Sequence, residues 1–336
     1  MSTSDGCKDG GSISNDDVCE VVGKLQNMST ADISVCANCG KESDDVNNIC
    51  NKCKQVKYCN AVCKKVHKKK HKKDCEEHTR RAAELHDKEL FKQPPPAEDC
   101  PICFLPLPTY QSGYTYKSCC GKVICNGCIH AAPVYDNQGN EVDNEKCPFC
   151  RTPTPSSEKE MINRYKKRVE AGDPIAIYNQ GNYYRDGRHG FPQDMDKAFK
   201  CWHRAAELGC IMAYCGIGSA YVVRQGVEVE KDDKEKARHY YELAAKGGHA
   251  NATARHNLGL MEKKAGIMER AVKHFMIAVR SGNSESLKQI KQLYSSGHAS
   301  KDDYTKALQS YQVYLGEIKS TQRDEAAAAY EAYRYY

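Results

Sequence analysis

A chain of 336 residues with 40% hydrophobic and 28% charged side chains has room for two or three domains, and its mean hydropathy of -0.73 sets it among charge-rich soluble proteins. The formal net charge of +6 overstates its basic character, because it counts 20 cysteines as neutral and metal-bound thiols give up their protons, bringing a loaded protein near neutrality. That argues against a general nucleic-acid role through bulk positive charge, and the lack of any long apolar run argues against a membrane role.

Residues 1–35 hold six acidic and two basic side chains, several Ser and Gly, and no apolar run. They read as a disordered N-terminal tail without a signal peptide, so the expected location is cytoplasmic or nuclear and the cysteines meet a reducing compartment. Closely paired cysteines there hold metal rather than forming disulfides.

Sixteen such positions follow in two blocks. The first, residues 36–75, reads C-x2-C-x10-C-x2-C-x5-C-x3-C-x7-H-x3-C, with Cys36, Cys39, Cys50, Cys53, Cys59, Cys63, His71 and Cys75 as ligands. Soft sulfur donors with one imidazole select zinc, and eight ligands make two tetrahedral sets. His71 and Cys75 are four apart on a helix and share a face. His67 lies off that geometry and reads as an exposed histidine in a Lys-rich helix. The run KKVHKKKHKK carries the composition of a nuclear-import or nucleic-acid patch, but it has no interleaved aromatics and also reads as a solvated face offsetting thiolate charge. The helix continues through residues 76–91, with Ala82, Leu85, Leu90 and Phe91 as its buried face. Pro94, Pro95 and Pro96 end it, making residues 76–97 a helix and stiff linker.

The second block reads C-x2-C-x15-C-C-x4-C-x2-C-x18-C-x2-C, with Cys100, Cys103, Cys119, Cys120, Cys125, Cys128, Cys147 and Cys150 as ligands. The two blocks together call for four zinc ions. Beyond them Cys7, Cys19, Cys201, Cys210 and Cys215 read as tail or core residues. Ser157, three residues before Glu160, is a capping box that opens a helix. A repeat then takes over: Lys-Ala or Arg-Ala pairs at 197/198, 236/237, 270/271 and 306/307, followed in the first three by an aromatic, small residues and Gly. These are Trp202, Ala205, Ala206 and Gly209; Tyr241, Ala244, Ala245 and Gly248; Phe275, Ala278 and Gly282. The fourth keeps Tyr311 and Tyr314. Helical hairpins of this length stack into a solenoid.

The first block resembles the MYND finger, and Tyr58 immediately before Cys59 also fits. The resemblance implies that the pairs interleave, one ion on Cys36, Cys39, Cys59 and Cys63 and the other on Cys50, Cys53, His71 and Cys75. It also implies binding of short peptides, although Lys68 stands where the family often has Trp. Residues 98–155 resemble an all-cysteine RING finger, which implies one ion on Cys100, Cys103, Cys125 and Cys128 and another on Cys119, Cys120, Cys147 and Cys150. The departure is the adjacent pair Cys119 and Cys120; His130 is the nearest substitute ligand if both cannot reach the metal. Ile102, Pro148 and Arg151 match the positions through which such fingers hold a ubiquitin-conjugating enzyme. The segment KAFKCWHRAAELG, with the Gly-containing loops Gly187 to Gly190 and Gly226, resembles the Sel-1-like repeat.

The expected architecture is therefore multidomain: two small cross-brace zinc-binding domains, MYND and RING, followed by an α-solenoid of helical hairpins over residues 156–319 and a helical tail over 320–336. The expected function is a RING-type ubiquitin-protein ligase, with the MYND finger and solenoid binding protein or peptide partners. The other reading is a non-catalytic zinc-dependent adaptor. No Ser/His/Asp set, phosphate loop or carboxylate pair points to other enzyme chemistry.

Overall fold

The computed structural model describes residues 34–42, 46–131, 134–135, 141–142, 146–222, 231–247 and 251–336. The expectations for residues 1–33, including Cys7 and Cys19, and for Gly226 and Gly248 lie outside them. The chain divides into two compact units, residues 1–87 and 88–336.

In the first unit a two-residue strand β1 (Asn48–Ile49) pairs antiparallel with β2 (Lys57–Tyr58), and the helix α1 (Ala61–Leu90) follows. The core is minute: Cys36, Val46 and Tyr58 are buried, with Cys50, Val56, Cys59 and Cys63 packed around them. So little apolar volume cannot hold a fold alone, and the structural burden falls on the thiols. Ala82 and Leu85, expected on the buried face of α1, are exposed. Ion pairs support that stretch instead of packing, Arg80 reaching Glu77 at 2.8 Å and Glu84 at 2.6 Å. Leu90 and Phe91, which belong to the second unit, are buried and half-buried, as expected.

The second unit opens with the second cysteine block. Strands β3 (Tyr114–Lys117) and β4 (Lys122–Cys125) form an antiparallel hairpin in the register Tyr114 with Cys125 and Lys117 with Lys122. The short helix α2 (Asn126–His130) follows, then a second hairpin, β5 (Val134–Tyr135) with β6 (Glu141–Val142).

From Ser157 onward the unit is helical: α3 (Glu158–Glu170), α4 (Pro174–Asp186), α5 (Met195–Glu207), α6 (Ile211–Val222), α7 (Lys231–Ala245), α8 (Asn251–Lys264), α9 (Met268–Arg280), α10 (Ser284–Ser295), α11 (Lys301–Ile318) and α12 (Thr321–Ala329). Their ends follow capping chemistry. Asp173 accepts from Ile175 and Ala176 ahead of Pro174, Asp194 from Lys197, and Asn283 from Ser286. The Ser157 box is half of the expected one. Ser157 accepts from the Glu160 amide, but the Glu160 carboxylate accepts from Ser156 rather than from Ser157. A complete box occurs at Ser300 and Asp303.

The hairpins α4/α5, α6/α7 and α8/α9 share one packing rule. Trp202, Tyr241 and Phe275 on the second helix of each are buried, among Ala198, Ala205, Ala237, Ala244, Ala271 and Ala278. Facing them on the first helix are Gly181, Gly218 and Gly259, where an added Cβ would lie 2.5, 2.9 and 2.5 Å from the ring. The aromatics and alanines are visible in the repeat; their glycine partners lie on the preceding helix, outside the repeated segment. One buried carboxylate ties three helices: Glu262 of α8 accepts from Arg238 of α7 at 2.6 Å and from Arg270 of α9 at 3.2 Å. Cys210 is buried and Cys201 and Cys215 pack against the core; burial pushes the Cys210 thiol up to about 11 and that of Cys215 to about 12, as for inert core thiols.

Candidate metal centres

Four Cys-x-x-Cys segments fold into the same knuckle, at Cys36, Cys50, Cys100 and Cys147. In each, the first cysteine's amide donates to a carbonyl five or, for Cys50, six residues on (Lys41, Val56, Leu105, Thr152) at 2.8–2.9 Å. The amide four residues on (Gly40, Lys54, Phe104, Arg151) returns to that cysteine's carbonyl at 2.9–3.0 Å. The returning residue has positive φ every time: 72° at Gly40, 57° at Lys54, 55° at Phe104 and 61° at Arg151. A left-handed conformation costs a non-glycine residue about 1–2 kcal/mol, so three of these turns must be held by something beyond their own bonds. The structure turns both thiols of a knuckle to one side, where a bound metal could provide that hold.

The partner pairs come from helix starts, the middle of α1 and one turn. Cys63 begins α1 with its amide on Asn60 Oδ1 at 2.9 Å; Cys125 is the N-cap residue of α2, with Cys128 one turn later. His71 and Cys75 share a face of α1 and both are buried. Cys119 and Cys120 lie in the turn between β3 and β4, which closes through Gly121 at φ 71°. In a strand adjacent side chains point to opposite faces; in this turn both thiols reach one set, 4.0 Å apart.

The donor atoms gather into four groups, each within 4.8 Å: Cys36, Cys39, Cys59 and Cys63; Cys50, Cys53, His71 and Cys75; Cys100, Cys103, Cys125 and Cys128; Cys119, Cys120, Cys147 and Cys150. For Zn–S bonds of 2.3 Å a tetrahedron places sulfurs about 3.8 Å apart. The separations match: 3.7 Å for Cys39 to Cys59 and Cys50 to Cys75, 3.8 Å for Cys103 to Cys125, 3.9 Å for Cys120 to Cys147. The imidazole Nε2 of His71 lies 3.2 Å from the Cys53 sulfur. The donor sets therefore fit zinc. His130 packs elsewhere, its ring edge-on to Tyr330 at 5.6 Å.

Electrostatics within the sets point the same way. Burial works upward on Cys36, but amides of Cys59, Cys39 and Asn38 outweigh it and hold the thiol at about 6. In the same set the hydrogen bond with Cys63 and then burial push Cys59 up to about 12. Cys50 is likewise held at about 6, burial being outweighed by the amides of Cys53 and Lys52. Ionising one thiol thus obstructs the next, and a dication removes the obstruction.

His67 departs from its expected exposure. It is half-buried, hydrogen-bonded through Nδ1 to the buried Tyr58 hydroxyl at 3.2 Å, and stacked on His71 with ring centroids 5.7 Å apart. It packs on His71, a member of the second donor set, rather than facing solvent. Lys64 braces the same finger, donating to the Ile49 carbonyl at 2.7 Å and to Asn51 Oδ1 at 2.8 Å.

Around the second block, Ile102 and Pro148 are half-buried and Arg151 is exposed. Two residues not singled out in the sequence join them on the knuckles: Phe104, 76% exposed, and Phe149, 42% exposed with Lys122 over its ring at 5.8 Å. The opposite sides of the block are bound to the helices. Tyr116 donates to Asp173 Oδ2 at 2.8 Å, and Arg168 of α3 donates to the carbonyls of Ser118 and Cys119 at 3.1 and 3.0 Å. From the far end, Arg323 of α12 donates to the Pro106 and Leu105 carbonyls at 2.8 and 3.3 Å and contacts the Cys103 sulfur at 3.7 Å. Burial opposes the Arg323 charge, but Cys125 and Cys103 outweigh it and its pKa is raised.

Comparison with known proteins identifies two modules. Residues 36–75 match the MYND finger, and residues 174–210 and 211–249 match the Sel1 repeat. The chain thus carries a zinc-binding MYND finger followed by a helical Sel1-repeat solenoid, the combination of a protein-interaction adaptor. A 144-residue stretch, 43% of the chain, is 28% identical to the ERAD-associated E3 ubiquitin-protein ligase component HRD3B of Arabidopsis thaliana and spans only 21% of that protein. Among solved structures, a Sel1 repeat protein from Oxalobacter formigenes aligns at 23% identity over 53% of this chain and 71% of its own, TM-score 0.40. The protective antigen c5321 of uropathogenic Escherichia coli aligns at 19% over 54% and 42%, TM-score 0.37. Among the described residues no helix is long and apolar enough to cross a membrane.

Proposed function

We propose that this adaptor acts in ubiquitin transfer: residues 98–155 form a RING-type finger that recruits a ubiquitin-conjugating enzyme, while the solenoid and the MYND finger select protein partners. In this reading the chain holds four zinc ions, one in each donor set, and the domains run as 36–75, 98–155 and 156–319 with a helical tail beyond. The observation that carries it is the interleaving of the second block's pairs, first with third and second with fourth, which brings the knuckles at Ile102 and at Pro148 and Arg151 onto the same β3/β4 hairpin. The similarity to a protein named as a ubiquitin-ligase component supports the same pathway.

Such a finger contributes no nucleophile. It holds the conjugating enzyme so that a substrate amine meets the activated ubiquitin, which is catalysis by positioning. Ile102 offers apolar surface, Pro148 a rigid loop, and Arg151 a planar fork of donors able to bridge two proteins. The exposed rings of Phe104 and Phe149 extend that apolar surface. The test is ubiquitin transfer by the purified full-length protein with a panel of conjugating enzymes. Activity that falls in Ile102→Ala and Arg151→Ala while zinc content is unchanged supports the reading. No transfer with any enzyme leaves the non-catalytic adaptor, which the fastening of the second finger to α3, α4 and α12 favours.

A further inference from the structure

A guanidinium taken out of water needs an anion or a full set of acceptors. Arg323 is 1% exposed, and its Nη atoms donate to the carbonyls of Pro106, Leu105 and Ile318 and touch the Cys103 sulfur, while its Nε has no hydrogen-bond partner. Among the described residues no carboxylate forms an ion pair with it. The nearest candidate for its counter-charge is the cysteine set beneath it, since four thiolates around a dication keep a net charge of about −2.

The rest of the C-terminal segment is arranged around that contact. Gly127 of α2 lies so close to Arg323 that an added Cβ would come 2.8 Å from its backbone nitrogen and 2.7 Å from its Cγ. Tyr330 packs on His130, Ser112 donates to the Arg334 carbonyl at 2.5 Å, and Tyr335 is 2% exposed. These contacts are short-range and mostly neutral; the charge at Arg323 is what distinguishes a metal-loaded finger from an empty one.

We propose that Arg323 is the positioning counter-charge of the Cys100, Cys103, Cys125 and Cys128 set, and that residues 320–336 stay docked on the second finger only while that set holds its zinc. This rests on the zinc reading of the second block. Without the ion the four sulfurs are no longer held together beneath Arg323, so the guanidinium loses its fixed partner, the segment comes away and α2 is bared. Conversely, the guanidinium slows metal release by stabilising the thiolates, as an outer-shell donor does.

The test uses the full-length zinc-loaded protein, amide exchange over residues 321–329, and the rate of zinc release to a coloured chelator. In the wild type, chelation raises exchange over 321–329 by about tenfold or more while residues 268–280 stay protected. Arg323→Gln shows fast exchange there before chelation and releases one zinc about 10–100-fold faster, the range for losing an outer-shell partner. Arg323→Lys, which keeps the charge but not the fork, recovers part of both effects. Protection of 321–329 that survives chelation, or Arg323→Gln behaving as wild type, overturns the proposal. A Cys100→Ser variant separates the two levels. If it leaves the zinc content unchanged, the metal reading falls and takes the proposal with it; if it costs one zinc while the chelated wild type keeps its tail docked, only the proposal falls.

Discussion

Replacing Tyr116 by Phe removes one oxygen atom from the seam between the second finger and the solenoid and changes little else. The lost bond runs from the Tyr116 hydroxyl to Asp173 Oδ2 at 2.8 Å, while Asp173 Oδ1 caps α4 through the amides of Ile175 and Ala176. A hydrogen bond to a charged acceptor contributes about 1.5–3 kcal/mol, and both residues are half-buried, so the lower end, about 1.5 kcal/mol, is expected. Asp173→Ala costs about 1 kcal/mol more, because it also removes the cap. The double variant should then fall short of additivity by about 1–2 kcal/mol. Trp202, the sole tryptophan, is buried in α5 and reports urea unfolding of the solenoid by its emission. With zinc chelated, Tyr116→Phe should cost nothing, because the hairpin that presents Tyr116 is held by the cysteines at its turn. A coupling below about 0.5 kcal/mol in the loaded protein would refute the claim that finger and solenoid are energetically joined.

Metal analysis of His71→Ala should show one zinc fewer than wild type, while His67→Ala keeps the ion but releases it faster, having lost the Tyr58 bond and the stack on the ligand. Cys119→Ser should lower zinc content by one and His130→Ala should leave it intact; the reverse pattern would reassign the ligand. Burial lowers the pKa of His203 and of His256, so below about pH 6.5 the unfolded chain takes up protons that the folded solenoid refuses. Stability should therefore be full above that pH and fall on acidification, with the slope reduced in His203→Gln and His256→Gln; equal slopes in urea titrations would show that these rings do not control it. Gly181→Ala should destabilise the first hairpin by about 1–3 kcal/mol through overpacking and shift Trp202 emission, since the new methyl would sit 2.5 Å from the indole Nε1.

Several features were legible in the sequence because their causes are local. A knuckle needs two cysteines three apart and a turn closed within five or six residues, so spacing alone grouped Cys36 with Cys39 and Cys147 with Cys150. The period of alanines around Trp202, Tyr241 and Phe275 announced stacked hairpins because each repeat packs only against its neighbours. Where a local rule needed a distant surface, it failed. Ala82 and Leu85 sit three apart at helical spacing yet both are exposed, and His67 in a lysine run is half-buried because Tyr58 from β2 reaches it.

Tertiary structure alone decided how the second finger relates to the helices. Tyr116 meets Asp173 across 57 residues and Arg323 meets Cys103 across 220, and no periodicity or spacing encodes such pairs. The sequence by itself thus determined the donor atoms and the repeating hairpins, which depend on neighbours within a turn or a repeat. The contacts of Arg168 and Arg323 with the finger depend on where the whole solenoid carries its two ends, and only the folded chain brings those ends to the donor sets.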